Sequence, residues 1–250
     1  MTQDGLLANI GDKRRLRCLL PAEGYALWAD TYDADPNPLL ALEERTLDSL
    51  LPNLEGSTVL DAACGTGRWL SKLLSLGARE GIGVDFSYEM LVQGMRKRGL
   101  RGRLVQAECA AIPVATGTID LAICSMAAGY LADLHGLASE LSRVMRKGGR
   151  LILTDFHPES SRKGWRRTFR YAGEVIEIQN FQHSADQLCA SFHACGFKIE
   201  RILSPCFGDP EKTIFEQCGK EPLFEQARQG PAILICCFTR GGRCSPGDRR

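Results

Sequence analysis

Residues Val59 to Gly67 read VLDAACGTG, an apolar run that ends in a carboxylate and breaks into a glycine turn. Thr58, Val59 and Leu60 favour extended backbone, and Arg68 to Leu76 carries apolar residues at helical spacing. A strand, a tight turn and a helix follow. Gly65 and Gly67 permit a sharp turn and close approach of a ligand to the backbone, because no Cβ stands in the way. The helix that starts there presents free N–H groups to whatever binds.

The chain then repeats this unit. Strand-like runs fall at Thr58 to Asp61, Gly81 to Asp85, Leu104 to Ala107, Ile119 to Cys124 and Leu151 to Asp155. Helical runs fall between them at Trp69 to Leu76, Tyr88 to Arg98 and Leu134 to Arg146, the last closed by Gly148 and Gly149 as a C-cap. The connection from Cys109 to Gly117 is short for a helix. An amphipathic helix over Leu39 to Leu51, stopped by Pro52, precedes the first strand. Repeated βα units argue for an α/β fold, a parallel sheet with helices on both faces. Thr168 to Gln179 reads as a β-hairpin, and Ser184 caps a helix through Cys195. Phe197 to Leu203 and Ile233 to Thr239 read as strands, and the insertion between them suggests an antiparallel edge strand.

A chain of 250 residues suits one core, with flexible ends at 1–24 and 241–250 and one domain over 25–240. Its 44% hydrophobic and 24% charged residues are ordinary for a globular protein. A net charge of +1 gives no overall pull toward nucleic acid or an anionic membrane. No apolar run is long enough to span a bilayer, and the N-terminus lacks the apolar centre of a secretory signal, so a cytoplasmic location is expected. The basic cluster of Lys13, Arg14, Arg15 and Arg17 reads as a frayed terminus. The eleven cysteines show no CxxC pair and read as reduced, buried thiols. Cys189 and His193 share helical spacing, but Leu188, Phe192 and Cys195 form the core stripe there, so no metal site is expected.

Three carboxylates, Asp61, Asp85 and Glu108, fall at or near the C-terminal ends of successive strands, where open α/β sheets bind ligands. Asp85 is placed to accept hydrogen bonds from a ribose diol. A dinucleotide site wants a third small residue after the glycines, and Leu70 stands there instead. Asp61, just before the turn, would repel a diphosphate and favour a cation. The ligand reads as a nucleoside that carries an ammonium or sulfonium.

VLDAACGTG, GVDFSYEML, AECAAIP and IDLAICS, in this order and spacing, resemble the successive motifs of class I S-adenosylmethionine-dependent methyltransferases. The resemblance runs from about Tyr25 to Thr239 and implies a Rossmann-like, seven-stranded, mostly parallel sheet, with S-adenosyl-L-methionine as cofactor. It places Asp61, Ala63, Cys64, Gly65, Thr66 and Gly67 around the methionine end and Asp85 on the ribose. It sets Phe86, Met90, Glu108, Cys109 and Ala110 about the adenine, closed by Ile112 and Pro113, and Ser125 near the methionine ammonium. Ala63 stands where the family commonly has Gly, and Glu108 where it usually has Asp. The segment LWADTYDADPNP resembles small-molecule methyltransferases of the ubiquinone, menaquinone and malonyl-carrier-protein type. That makes Tyr25, Trp28 and Tyr32 expected covers of the cofactor; the other reading is that they pin an N-terminal helix on the sheet.

Methyl transfer from a sulfonium is an in-line displacement, assisted mainly by alignment and exclusion of water. His157, after the fifth strand in LTDFHP, is the expected base or acceptor-orienting residue. The insertion at 158–183 is the expected acceptor cover. Within it Ser161 to Tyr171 sets Arg162, Lys163, Arg166, Arg167 and Arg170 among Trp165, Phe169 and Tyr171. That run suits a carboxylate, a phosphate or an acidic carrier, or else forms a solvated face, or stacks single-stranded RNA. The expected partner is a small-molecule acceptor. A cofactor-binding regulatory protein, an RNA methyltransferase and a nicotinamide oxidoreductase are the alternatives, and the oligomeric state stays open.

Overall fold

A computed structural model describes residues 16–241. Seven strands form one sheet in the order β4-β3-β2-β5-β6-β10-β9. They are β2 (Thr58–Ala62), β3 (Glu80–Asp85), β4 (Leu104–Gln106), β5 (Ile119–Cys124), β6 (Met145–Phe156), β9 (Phe197–Leu203) and β10 (Ile233–Arg240). The first five are mutually parallel, and β10 runs antiparallel to both β6 and β9. The reversed strand thus lies one in from the edge strand β9. Alternate residues of each central strand feed two separate cores, Val59, Leu121 and Ile152 on one face and Leu60, Ala122 and Leu151 on the other. Period-2 burial on both faces is what a helix-covered parallel sheet requires.

Local chemistry sets the helix starts. Asn37 caps α2 (Pro38–Asp48) at the Leu39 N–H, 3.0 Å, with Pro38 at the first helical position. Gly67, at φ +73, opens α3 (Arg68–Ser75). A Cβ there would stand 2.6 Å from Leu100 Cδ1, so both the conformation and the space call for glycine. Ser87 caps α4 (Tyr88–Met95), Asp133 caps α5 (Leu134–Val144), and Ser184 with Gln187 forms a capping box on α7 (Ala185–Ala194). Gly148 and Gly149 do not cap α5, which ends at Val144. They lie inside β6, where the register shifts against β5 and a Cβ on Gly149 would meet the Ile119 carbonyl oxygen at 3.1 Å. Close strand approach at a bulge, not helix termination, explains the pair.

A second, three-stranded sheet holds the insertion. Residues 158–183 form α6 (Pro158–Arg162) and a hairpin of β7 (Thr168–Tyr171) and β8 (Glu174–Ile178), turned through Ala172 and Gly173, both at positive φ. β1 (Leu16–Leu19) pairs with β8 in parallel, and α1 (Pro21–Trp28) packs on it. The domain boundary expected at Tyr25 therefore falls inside α1: residues 16–19 are tied down by strand pairing that spans far too much sequence for local pattern to reveal. The expectations for 1–15 and 242–250 lie outside the described residues. No helix among the described residues is long and apolar enough to cross a membrane.

The switch in strand order lies between β2 and β5. The strands stay paired to their C-terminal ends, and the connections that follow run to opposite sides of the sheet, leaving the crevice in which open α/β sheets bind ligands.

Candidate functional site

The turn after β2 is shaped by positive φ at Ala63 (+57), Gly65 (+54) and Gly67 (+73). Ala63 is the position at which the resembling family commonly has glycine, and the backbone shows why. Gly65 donates its N–H to Asp85 Oδ2 at 2.7 Å, and Asp85 Oδ1 accepts from the Ser87 N–H at 2.8 Å. Asp61 Oδ2 accepts from the Leu70 N–H at 2.9 Å, in the first turn of α3. Burial pushes the Asp61 carboxyl up to about 7, against the Leu70 hydrogen bond and the Arg68 charge, which pull it down. Burial likewise raises Asp85, opposed by its backbone donors.

A cavity of about 590 Å³ opens over this turn. It brings together Tyr32, Asp61, Ala63, Cys64, Gly65, Thr66, Asp85, Phe86, Met90 and Ser125. Gly67 is not on its wall and acts through the start of α3. Glu108 and Ala110 lie exposed beyond the end of β4, one strand further from the switch point, and Cys109 is half-buried beside them. Burial lifts the Cys109 thiol to about 12.

Arg68, Trp69, Met126, Ala127 and Tyr130 also line the cavity, and no motif marks them in the sequence. Arg68 is held by Glu43, a fully buried carboxylate on the apolar face of α2. Glu43 also accepts from Ser125 Oγ at 2.8 Å, Trp69 Nε1 at 3.1 Å and Thr154 Oγ1. A carboxylate inside an apolar helix stripe was the available signal. Met126, at φ +53, donates its N–H to the Thr154 carbonyl at 3.0 Å.

The segment between α1 and α2 closes the cavity through polar clasps. Asp33 accepts from Thr66 Oγ1 at 2.8 Å and pairs with Lys97 at 2.8 Å, while Asp30 accepts from Gln93 at 2.5 Å. Tyr25 and Tyr32 reach the cavity. Trp28 instead stacks on Phe169, centroids 4.8 Å apart and planes 4° from parallel, and anchors α1 to the hairpin.

His157 lies elsewhere. Its Nδ1 accepts from the Glu159 N–H at 3.2 Å as the N-cap of α6, and Nε2 sits 3.2 Å from Ser204 Oγ. It is absent from the wall of the cofactor-side cavity, because the chain after β6 turns toward the 204–232 loops and not over the switch point. Burial and the nearby cations lower its pKa, and only the neutral ring can accept from Glu159, so the cap weakens as pH falls through that lowered value. His157→Ala is expected to cost about 1 kcal/mol in chemical denaturation and to leave cofactor affinity unchanged in calorimetry.

Of the three rings in the basic and aromatic run only Tyr171 is exposed. Trp165 and Phe169 are buried in separate cores, at 9% and 2% exposure, so neither ring is presented to a nucleic-acid base. Arg166 pairs with Glu177, Lys163 with Glu159, and Arg167 with Asp155. Among the described residues no group of three or more His, Cys, Asp or Glu is placed to hold a metal ion.

Residues 59–149 match the family model described as a methyltransferase domain. A malonyl-[acyl-carrier protein] O-methyltransferase of Legionella pneumophila is 32% identical over 138 residues, covering 53% of this chain and 48% of the relative. A demethylmenaquinone methyltransferase of Thermus thermophilus is 36% identical over 105 residues, 40% of this chain and 47% of that protein. The chain thus spans about half the length of these relatives. In fold it is similar to an S-adenosylmethionine-dependent methyltransferase of Mesorhizobium loti, TM-score 0.63 at 21% identity, covering 82% of this chain and 100% of that one. Motif order, the glycine turn between paired acidic strand ends and these likenesses agree: residues 59–149 match a methyltransferase domain, set in a fold similar to that of S-adenosylmethionine-dependent methyltransferases.

Proposed function

We propose that the protein binds S-adenosylmethionine in the 590 Å³ cavity and transfers its methyl group to a small or carrier-bound acceptor. The observation that carries this reading is the pair of buried carboxylates at adjacent strand ends. The Asp85 oxygens accept from the Gly65 and Ser87 N–H groups, and a carboxylate has further lone pairs to offer the hydroxyls of a ribose. Asp61 lies in the same cavity with its charge incompletely compensated, and a cation there would favour its ionised form. The residues present therefore fit this cofactor, which when bound supplies an electrophilic methyl on a sulfonium. Asp61 would orient the amino-acid end, Asp85 the ribose, and Phe86 and Met90 the base, while the 25–37 segment excludes water.

The malonyl-carrier-protein and menaquinone relatives support a small or carrier-bound acceptor and leave its identity to experiment. Calorimetric titration with S-adenosylhomocysteine and with NAD tests the cofactor. Tight binding of the first alone is expected, and preference for NAD would overturn the reading. Release of S-adenosylhomocysteine across an acceptor panel separates a working enzyme from a regulatory binder.

A pH dependence follows from Asp61. Its carboxyl is raised from the ordinary range up to about 7, so ionisation costs the ligand-free fold stability as pH rises through that window. A bound ammonium favours the ionised form. Affinity for S-adenosylhomocysteine is therefore expected to rise between about pH 6 and pH 8, with release of a proton on binding. Calorimetry in buffers of different ionisation enthalpy measures that proton, and Asp61→Asn abolishes it.

A further inference from the structure

Three cavities meet at one side chain. Beside the cofactor-side space lies a second cavity of about 480 Å³, and a third of about 1240 Å³ opens outward past Leu20 and Phe181. The first two share Tyr25, Tyr32 and Met126, the last two share Phe156, Arg166 and Arg167, and Tyr130 lines all three. An acceptor that enters through the outer two cavities passes Tyr130 on its way to the cofactor-side space.

We propose that Tyr130, backed by Tyr25 and Arg167, binds the ionised hydroxyl of a phenol- or enol-type acceptor whose flat apolar body fills the second cavity. This rests on the methyl-transfer reading above. Tyr25 Oη lies 2.8 Å from Tyr130 Oη and donates to it, which leaves the Tyr130 proton to donate onward; such chains of hydroxyls polarise one another. The Arg167 guanidinium sits 4.7 Å from the Tyr130 ring centroid. Its counter-ion Asp155 lines none of the three cavities and is occupied by the Gly129 and Phe156 N–H groups, so the face toward the acceptor is the positive one.

The surrounding groups favour a weakly acidic hydroxyl. The ionisable and charged groups on the second cavity are Tyr25, Tyr32, Tyr130, Arg166 and Arg167, with no carboxylate among them, so a cationic acceptor finds no partner. Both arginines are already matched, Arg167 by Asp155 and Arg166 by Glu177 at 2.9 Å. A carboxylate would therefore find no free guanidinium to pair with both its oxygens, whereas the single oxygen of a phenol or enol needs only the one donor that Tyr130 supplies. Trp28, Leu39 and Phe156 supply the apolar walls.

The acceptor loses its hydroxyl proton to solvent on binding. Its oxygen then bonds to the methyl carbon as the carbon–sulfur bond breaks with its electron pair going to sulfur, so the opposite charges cancel. Tyr130 holds the oxygen on the line of displacement, and Tyr25 and Arg167 act through Tyr130.

The test uses 4-nitrophenol, whose visible band appears only on ionisation, titrated into the full chain saturated with S-adenosylhomocysteine. The wild type is expected to bind the nitrophenolate and lower the probe's apparent pKa. Tyr130→Phe, which keeps the ring under Arg167, is expected to weaken that binding at least about tenfold and abolish the shift at saturating S-adenosylhomocysteine. Tyr25→Phe is expected to lose part of the shift. Unchanged nitrophenolate binding in Tyr130→Phe, no binding in the wild type, or tighter binding of 4-nitrobenzoate overturns the proposal. Failure of the wild type to bind S-adenosylhomocysteine instead overturns the cofactor reading, and this inference with it.

Discussion

Glu43→Ala is expected to lower the unfolding free energy by about 3–5 kcal/mol, measured by urea denaturation, because it breaks a buried ion pair by removing one partner. Glu43 is fully buried and joins four elements at once: its own helix α2, α3 through Arg68 and Trp69, the end of β5 through Ser125, and β6 through Thr154. The substitution strands the donors of Trp69, Ser125 and Thr154 and leaves Arg68 with Glu44 at 3.5 Å and the neutral Ser125 Oγ at 3.3 Å. Because a domain's net stability is only about 5–15 kcal/mol, this one side chain governs a large fraction of it. A second consequence reaches the site. Arg68 lines the cofactor-side cavity, and with its partner gone its charge opposes any ammonium bound beside Asp61. Weaker S-adenosylhomocysteine binding should therefore accompany the lost stability. A loss of less than about 1 kcal/mol would show that the network is not the clamp its geometry describes.

Asp85→Ala is expected to weaken S-adenosylhomocysteine binding at least about 100-fold in calorimetry. Two hydrogen bonds to a charged group contribute about 1.5–3 kcal/mol each, and about 1.4 kcal/mol is a factor of ten. The substitution also frees the Gly65 and Ser87 N–H groups, so the turn itself loosens. Asp85→Glu separates the two effects: it restores the charge but sets it one methylene further out, and recovery of only part of the affinity would assign the remainder to position. Removing a buried carboxylate relieves its desolvation, the main cause of its raised pKa, so the fold should lose much less than it does in Glu43→Ala. A large stability loss with affinity intact would refute the ribose assignment.

The parts of the site that were legible in the sequence are those set by near neighbours. The strand that ends in Asp61, the glycine turn and the helix after it form within a dozen residues, and Asp85 follows from the next βα unit. Ser184, Asn37 and Ser87 each cap the helix they precede, since a cap reaches only two or three residues along the chain. His157 shows the limit of such reasoning. Its position after the fifth strand is legible in the sequence, but the direction of the following chain is not, and the imidazole is a helix cap. The basic and aromatic run failed for a related reason: Phe169 is buried because Trp28, far off in sequence, stacks on it.

The sequence by itself determined the order of βα units, the doubly covered sheet and the carboxylate-flanked turn, because hydrophobic period and capping chemistry act over a few residues. Tertiary structure alone decided that Glu43 would hold Arg68, that residues 16–19 would join a second sheet, and that Tyr130 would stand where three cavities meet. Those contacts link residues tens of positions apart. Only the packing of whole elements chooses which side chains, among many of equal local propensity, face the same enclosed space.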